Sequence, residues 1–140
     1  MSILVLRDVE ILVNDVDLSD RCTQVTIEDT ADEVDATAFQ GGGYKQLVVG
    51  LKDATITATF EQDFSSGSTH DTLSAIYADP DTPVDVKVKG TNAATGTTNP
   101  QAVMSARLFS YRMLGGGPGE LATTEASFRN AGNGISYATT

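Results

Sequence analysis

Apolar and polar residues alternate with a period of two along several short stretches of the chain. Successive side chains of a β-strand point to opposite faces, so this alternation predicts strands with one buried and one solvated face. In the clearest stretch, Ile56, Ala58 and Phe60 are predicted to face inward and the threonines between them outward. The pattern recurs at Val9, Ile11 and Val13, at Val25 and Ile27, in residues 34–39, and at Val84, Val86 and Val88. A strand with one wet face is typical of antiparallel sheets, so we expect a mainly β fold.

Two later stretches, residues 102–113 and 121–128, are also predicted to be strands. The glycine-rich run at 115–119 separates them, and because glycine adopts positive φ angles easily, it indicates a turn. Exposed or mobile segments are expected at 40–45, 90–100 and 131–140, which are rich in small and polar residues.

One stretch alone is predicted to be a helix. Ser68 and Asp71 have the spacing of a capping box, and Leu73, Ile76 and Tyr77 then share one face. The sequence Asp-Pro-Asp at 79–81 ends it, which leaves a short helix of about ten residues that can lie against a sheet.

The length and charge of the chain narrow the classes of function. With 140 residues, 40% of them apolar, residues 1–140 are expected to form a single domain. No apolar run approaches the roughly 20 residues of a membrane-spanning helix, so we expect a soluble chain without a signal peptide. The net charge of −10, from 19 acidic and 9 basic residues, argues against specific nucleic-acid binding, which needs clustered Lys and Arg.

The residues that usually carry catalysis are few. Cys22 is the only cysteine, so it forms no intrachain disulfide, and we expect a half-buried structural thiol. His70 is the only histidine and is expected to be a solvated residue at the start of the helix. The sequence therefore predicts no enzyme, no catalytic residue and no cofactor.

Acidic residues cluster in one stretch, which contains Glu28, Asp29, Asp32, Glu33 and Asp35. Carboxylates can hold Ca²⁺, but a loop opening at Asp32 has Val34 where an oxygen ligand belongs. We therefore expect a solvated acidic loop and no metal site. The aspartates at 15, 17 and 20 are assigned to turns and caps.

The apolar residues that follow Gly41, Gly42 and Gly43 allow two interpretations. Tyr44, Leu47, Val48, Val49 and Leu51 either form an exposed interaction site on a loop or belong to a buried strand. The sequence favours neither.

Three segments together resemble small virion proteins of phages and prophages. They are the run ILVNDVDLSD at 11–20, the run ADEVDATAF at 31–39, and the Gly-Leu-Lys-Asp entry at 50–53 into the strand that ends in Phe60. The resemblance is to the tail tube (major tail) proteins of tailed bacteriophages. It covers about residues 9–80, and residues 107–130 resemble the same family more weakly. The matched residues are packing and turn motifs rather than an active site.

The resemblance implies an antiparallel β-sandwich or barrel with one short helix. It also implies copies assembled into hexameric rings, stacked as a DNA conduit inside a virion made in the host bacterial cytoplasm, together with other virion proteins. Residues proposed for self-assembly are Ile3, Leu4, Val5, Leu6, Tyr44, Lys45, Leu47, Val48 and Val49, with 90–100 as a further candidate. The alternatives are a capsid decoration protein or a head–tail completion protein with a related fold, and, from another class, an enzyme or carbohydrate-binding module.

Overall fold

The computed structural model describes residues 3–140. Its elements in chain order are β1 (Glu10–Val13), β2 (Val16–Asp17), β3 (Cys22–Asp35), β4 (Leu47–Glu61), α1 (Thr69–Ala78), β5 (Val84–Lys89), β6 (Gln101–Leu108) and β7 (Thr123–Ala138). Among these residues no helix is long and apolar enough to cross a membrane.

The seven strands form one antiparallel sheet in the order β2-β1-β5-β6-β7-β4-β3. The predicted mainly β, antiparallel fold with one short helix is confirmed. The sheet is not closed into a barrel, because β2 and β3 each pair on one side only. Each of these edge strands leaves backbone N–H and C=O groups without a partner strand in the monomer.

The core lies on one face of this sheet and follows the period-two alternation. Ile56, Ala58 and Phe60 of β4 are buried, as predicted, and Ala126 and Phe128 of the paired strand β7 lie on the same face. Strand β5 is separated from β7 by β6. Its alternating residues Val86 and Val88 are buried too. The outward-facing threonines of β4 are half-buried.

Helix α1 covers part of this core and has the predicted length of 10 residues. Leu73 and Ile76 are buried, whereas Tyr77, predicted on the same face, is exposed. The capping box does not form: Ser68 makes no capping bond through its side chain, and the Asp71 carboxylate instead accepts a hydrogen bond of 2.9 Å from the Gly67 N–H.

Two predicted strand limits were wrong near the C-terminus. Strand β6 ends at Leu108, and β7 runs on to Ala138, so residues 131–138 are strand, although four of these eight residues are exposed as predicted. The Asn130 carboxamide oxygen accepts hydrogen bonds from the N–H groups of Gly132 and Gly134, both 3.0 Å. This local turn bends β7 and lets it continue along β6, as far as the pair Ala138–Gln101.

The stretch 34–39 was predicted to be one alternating strand, but β3 ends at Asp35. The Asp35 carboxylate accepts a hydrogen bond of 2.9 Å from the Thr37 N–H, and the Thr37 hydroxyl accepts one of 2.8 Å from the Gln46 N–H. These bonds turn the chain away from strand geometry, so Phe39 is fully exposed instead of facing inward.

Candidate self-assembly site

The most unusual feature is a two-stranded arm, residues 28–53, formed by the far halves of β3 and β4. Strand β4 pairs with β7 only from Thr55 onward, so before that residue β3 is its only partner among residues 3–140. The last pair of the arm is Asp35 with Leu47, which places the tip roughly 25 Å beyond the end of the β4–β7 pairing at 3.4 Å per residue.

The apolar residues of the arm are exposed on both of its faces. They are Val34, Phe39, Tyr44, Leu47, Val48, Val49 and Leu51, and Leu51 keeps 82% of its surface accessible. Each of the two interpretations of residues 44–51 is therefore half correct: residues 47–51 are in a strand, and the strand is exposed. Such a concentration of exposed apolar side chains is typical of interaction surfaces.

Local contacts hold the arm in shape. A Cβ at Gly50 would lie 2.9 Å from Cγ2 of Val34, so only glycine fits at this irregular point of the β3–β4 pairing. At the tip, Gly42 and Gly43 adopt φ angles of 69° and 83°, the left-handed region that favours glycine. These glycines belong to the turn at the end of the arm.

The N-terminal residues Ile3, Leu4, Val5 and Leu6 are exposed and lie outside any strand. Leu4 and Leu6 border an apolar groove of about 260 Å³, whose other walls include Ile27, Val88 and Tyr137. Ile27 immediately precedes the arm, so the N-terminal segment and the base of the arm share this groove, whereas Tyr44 to Val49 lie farther out along the arm.

Residues 90–100 were predicted to be mobile or exposed; more than half of them are exposed, and they form a turn that hydrogen bonds hold in place. The Asn99 amide donates hydrogen bonds to the carbonyl oxygens of Thr91, Ala93 and Ala94, at 3.0 to 3.4 Å. Lys89 also donates to Ala93, at 3.0 Å. Hydrogen bonds within and next to this exposed turn therefore hold its backbone in place.

The acidic stretch at 28–35 lies on edge strand β3 rather than in the predicted loop, and its carboxylates are exposed. Within residues 3–140 no group of His, Cys, Asp or Glu side chains is arranged to hold a metal ion. Asn14 and Asp15 form the turn between β1 and β2 with positive φ angles of 51° and 65°. The Asp17 carboxylate accepts a hydrogen bond from the Ser19 N–H, in keeping with its predicted role in a turn.

The two residues considered for catalysis have structural roles. Cys22 is half-buried, as predicted, and its thiol donates to the Gln24 carbonyl at 3.4 Å. Burial raises the pKa of the Cys22 thiol, which disfavours a reactive thiolate. His70 is half-buried rather than solvated, with Nδ1 2.6 Å from the Tyr111 hydroxyl and its ring edge against Phe64.

Sequence reasoning missed a second exposed apolar surface, at the opposite end of the sheet from the arm. This loop patch consists of Phe64, Phe109, Met113, Leu114 and Leu121, all exposed. Three of its members, Phe109, Met113 and Leu121, had been placed in the predicted strands 102–113 and 121–128. The glycine run beside them was the available signal that the chain leaves the sheet here.

The loop that carries most of the loop patch is firmly anchored to the body. The Gln62 amide donates to the Met113 carbonyl and, at 3.0 Å, to the Tyr111 hydroxyl. The N–H of Thr123 donates to the Gly115 carbonyl at 3.0 Å, and the N–H of Gln62 to the Ala122 carbonyl at 3.0 Å. The apolar side chains of the patch are therefore held outward by an ordered backbone.

Asp63 ties the chain segment between β4 and α1 to the β2–β3 connection. Its carboxylate lies 2.9 Å from Nε of Arg21 and accepts a hydrogen bond of 2.9 Å from the Ser65 N–H. The hydrogen bonds from Ser65, followed by the one from Arg21, hold the pKa of Asp63 well below its ordinary value.

No protein-family model matches the sequence, and no curated protein matches it either. Solved structures do match. One is a chain of the virion of a native gene transfer agent particle, at 18% identity over 94% of this chain and 95% of that chain, with a TM-score of 0.73. Another, in the tail of an empty gene transfer agent particle with C6 symmetry, has 16% identity, a TM-score of 0.65 and coverage of 84% and 82%.

Two further systems share the fold. A chain of the sheath/tube terminator of the extracellular contractile injection system PVC, in its extended state, has 15% identity over 99% of this chain and 98% of that chain, with a TM-score of 0.73. The tail tube of SPP1 has 11% identity, a TM-score of 0.67 and coverage of 99% and 81%. The chain thus shares the fold of these chains, among them the tail tube of SPP1, which confirms the resemblance at the level of fold.

Proposed function

We propose that this chain is a structural subunit of a phage-like particle that assembles with copies of itself into stacked rings, forming a tail tube. The observation that carries the proposal is the arm, whose apolar residues are exposed on both faces in the monomer. Leu47, Val49 and Leu51 lie on the same strand as the buried Ile56 and Phe60. In the monomer Leu47, Val49 and Leu51 stay exposed, so only another molecule can bury them, and we propose that this molecule is a second copy.

The open edges of the sheet supply the lateral contacts of a ring. Strand β3 presents an unpaired edge 14 residues long, and the edge of β4 that faces away from β3 is unpaired before Thr55. Joining such edges between copies adds backbone hydrogen bonds and buries apolar side chains. The C6 symmetry of the gene transfer agent tail supports six copies per ring.

The charge of the chain suits a conduit for DNA. The net charge is −10, so a wall built from many copies repels phosphate groups and does not trap the DNA that passes. This role needs no catalytic residue, metal or cofactor, and it places the chain in a particle made in the host bacterial cytoplasm.

A deletion tests the role of the arm. Removing residues 41–48 takes away the outer turn and the pairs of Leu47 and Val48 but leaves the Glu33–Val49 pair to close a shorter hairpin. We expect folded monomers that no longer form tubes, measured by circular dichroism for folding and by negative-stain electron microscopy for tubes. Tubes at normal yield from this variant would show that the arm is not the assembly site.

A tube terminator is the second candidate function, because the match to the PVC sheath/tube terminator covers 98% of that chain at a TM-score of 0.73. A terminator binds the end of a tube and stops its growth. The purified chain distinguishes the two roles: a tube subunit elongates alone as its concentration rises, whereas a terminator stops at one ring.

A further inference from the structure

Residues 131–134 of β7 form a wide bulge that pairs with no neighbouring strand of the described chain. Strand β7 pairs with β6 at Asn130 and again at Ile135, and between these two pairs β6 contributes only Ser105. The pairing of β7 with β4 already ends at Arg129. The backbone of the bulge therefore lies outside the ladders of hydrogen bonds that hold the rest of β7.

The bulge contains Asn133-Gly134, the only Asn-Gly step in the sequence. An asparagine side chain loses ammonia when the backbone nitrogen of the following residue attacks its carboxamide carbon. Glycine permits this attack best, because it has no Cβ to block the approach of the two atoms. Asn133 is exposed, and a Cβ added to Gly134 would meet no atom within 4 Å, so the step is surrounded by open space.

The other four asparagines of the chain lack one of these conditions. Asn99 precedes a proline, which has no N–H to lose. The remaining three precede a residue whose Cβ crowds the attacking nitrogen, and they are Asn14, Asn92 and Asn130. The local chemistry therefore singles out Asn133.

Asn130 contacts the nitrogen that would attack. Its carboxamide oxygen accepts a hydrogen bond of 3.0 Å from the Gly134 N–H, and another of 3.0 Å from the Gly132 N–H. The nitrogen of Gly134 must lose its proton before it attacks, and a bonded N–H releases a proton less readily than a free one. The bond from Gly134 to Asn130 is therefore expected to slow the reaction in the folded chain.

We propose that Asn133 is a site of spontaneous deamidation and that the Asn130 carboxamide restrains the reaction. Hydroxide takes the proton of the Gly134 nitrogen, which bonds to Cγ of Asn133; the bond from Cγ to the side-chain nitrogen breaks, and ammonia leaves with a proton from water. Water then opens the cyclic imide at either carbonyl, which leaves aspartate or isoaspartate at position 133. The reaction consumes only water, and the inference does not depend on the proposed tube function.

The product changes the charge of a cleft at the base of the arm. Asn133 lines a cleft of about 300 Å³, whose other walls include Asp29, Lys52 and Asp53. The new carboxylate adds one negative charge beside these groups. Isoaspartate also lengthens the backbone of the bulge by one methylene group. The added charge separates reacted from unreacted chains by anion exchange.

Peptide mapping by mass spectrometry tests the site on the dilute full chain, kept in mildly alkaline buffer at physiological temperature. We expect the peptide with Asn133 to gain the mass difference between OH and NH2 before any other asparagine reacts, and to react more slowly in mildly acidic buffer. Fragmentation spectra should show both aspartate and isoaspartate. The control Asn133→Gln should stay unmodified, because its longer side chain forms the ring poorly. An intact Asn133, or another asparagine that reacts first, would overturn the proposal and leave the tube function standing.

The variant Asn130→Ala tests the restraint. Without the hydrogen bond to the Gly134 N–H, deamidation at Asn133 should be about fivefold faster, the effect of one hydrogen bond of ordinary strength. Asn92→Ala, which removes an exposed asparagine elsewhere, should leave the rate unchanged. The original chain unfolded in urea provides a second measurement, since it has no such bond and should also react faster than the folded chain. An unchanged rate in folded Asn130→Ala, or in the urea-unfolded chain, would contradict the restraint.

Discussion

The body of the sheet and the arm are made from the same two strands but have different surroundings. In the body, alternate residues of β4 such as Ile56 and Phe60 are buried under α1 and the neighbouring strands. In the arm, Leu47, Val48 and Val49 follow one another in β4 and all are exposed. The difference teaches that the apolar face of the body is covered by the chain itself, whereas the described residues leave the apolar surface of the arm uncovered.

The largest expected effect separates the two regions by stability. Phe60→Ala in the body removes a fully buried ring and should lower the free energy of unfolding by about 3–5 kcal/mol. Phe39→Ala at the arm tip should change it by less than about 0.5 kcal/mol, because the ring already faces water. Urea denaturation of dilute monomers measures both values. Equal costs at the two positions would mean that Phe39 has a packing partner in its own chain.

The exposed apolar residues of the arm are expected to affect assembly rather than monomer stability. Replacing Leu47, Val49 and Leu51 with threonine keeps β-propensity but removes apolar surface. Each side chain gains about 1.5–3 kcal/mol on burial, so the critical concentration for tube formation should rise at least about tenfold while monomer stability hardly changes. Sedimentation over a concentration series measures it. An unchanged critical concentration would place the contact elsewhere.

A third, smaller effect concerns the shape of the arm. Gly50→Ala adds a Cβ 2.9 Å from Cγ2 of Val34, so we expect a loss of about 1 kcal/mol in the free energy of unfolding. The added substitution Val34→Ala removes the clashing methyl group and should restore most of that loss. If the double variant is as unstable as the single one, the strain comes from the Cβ of Asp32, which lies 3.1 Å from the added Cβ, or from the backbone rather than from Val34.

The smallest effect is a pH dependence in the body. The folded-state pKa of Asp63 lies below its unfolded value, so its ionised form adds stability that is complete above about pH 4 and is lost as the pH falls through the folded pKa. Asp63→Asn should therefore lower Tm by a few degrees at pH 7, with a gap that narrows as the pH drops from 4 toward 2. Thermal unfolding at several pH values measures this gap, and a constant gap would mean that folding does not lower the pKa of Asp63.

The sequence predicted the body well and the arm poorly, for a physical reason. Period-two alternation reports which residues share a face, and in β4 and β5 that face is covered by the same chain, so burial followed. The same pattern in residues 34–39 cannot reveal that no element covers it. Phe39 was therefore expected inside and is fully exposed.

The loop patch was missed because a run of apolar residues after Leu108 looks like a continuing strand. The strand stops there since Gln62 holds the following loop through Tyr111 and Met113. Gln62 lies at least 49 residues away in sequence, and no local pattern encodes such a contact. The helix, by contrast, was found at its correct length from local signals, although Ser68 does not cap it as expected.

In the proposed tube, the arm of each copy is covered by other copies. Cryo-electron microscopy of the purified full chain at high concentration tests it most directly. We predict hollow tubes of stacked rings in which residues 28–53 of each copy are buried between neighbours. Particles that remain single copies, or tubes whose arms point freely into solvent, would contradict it.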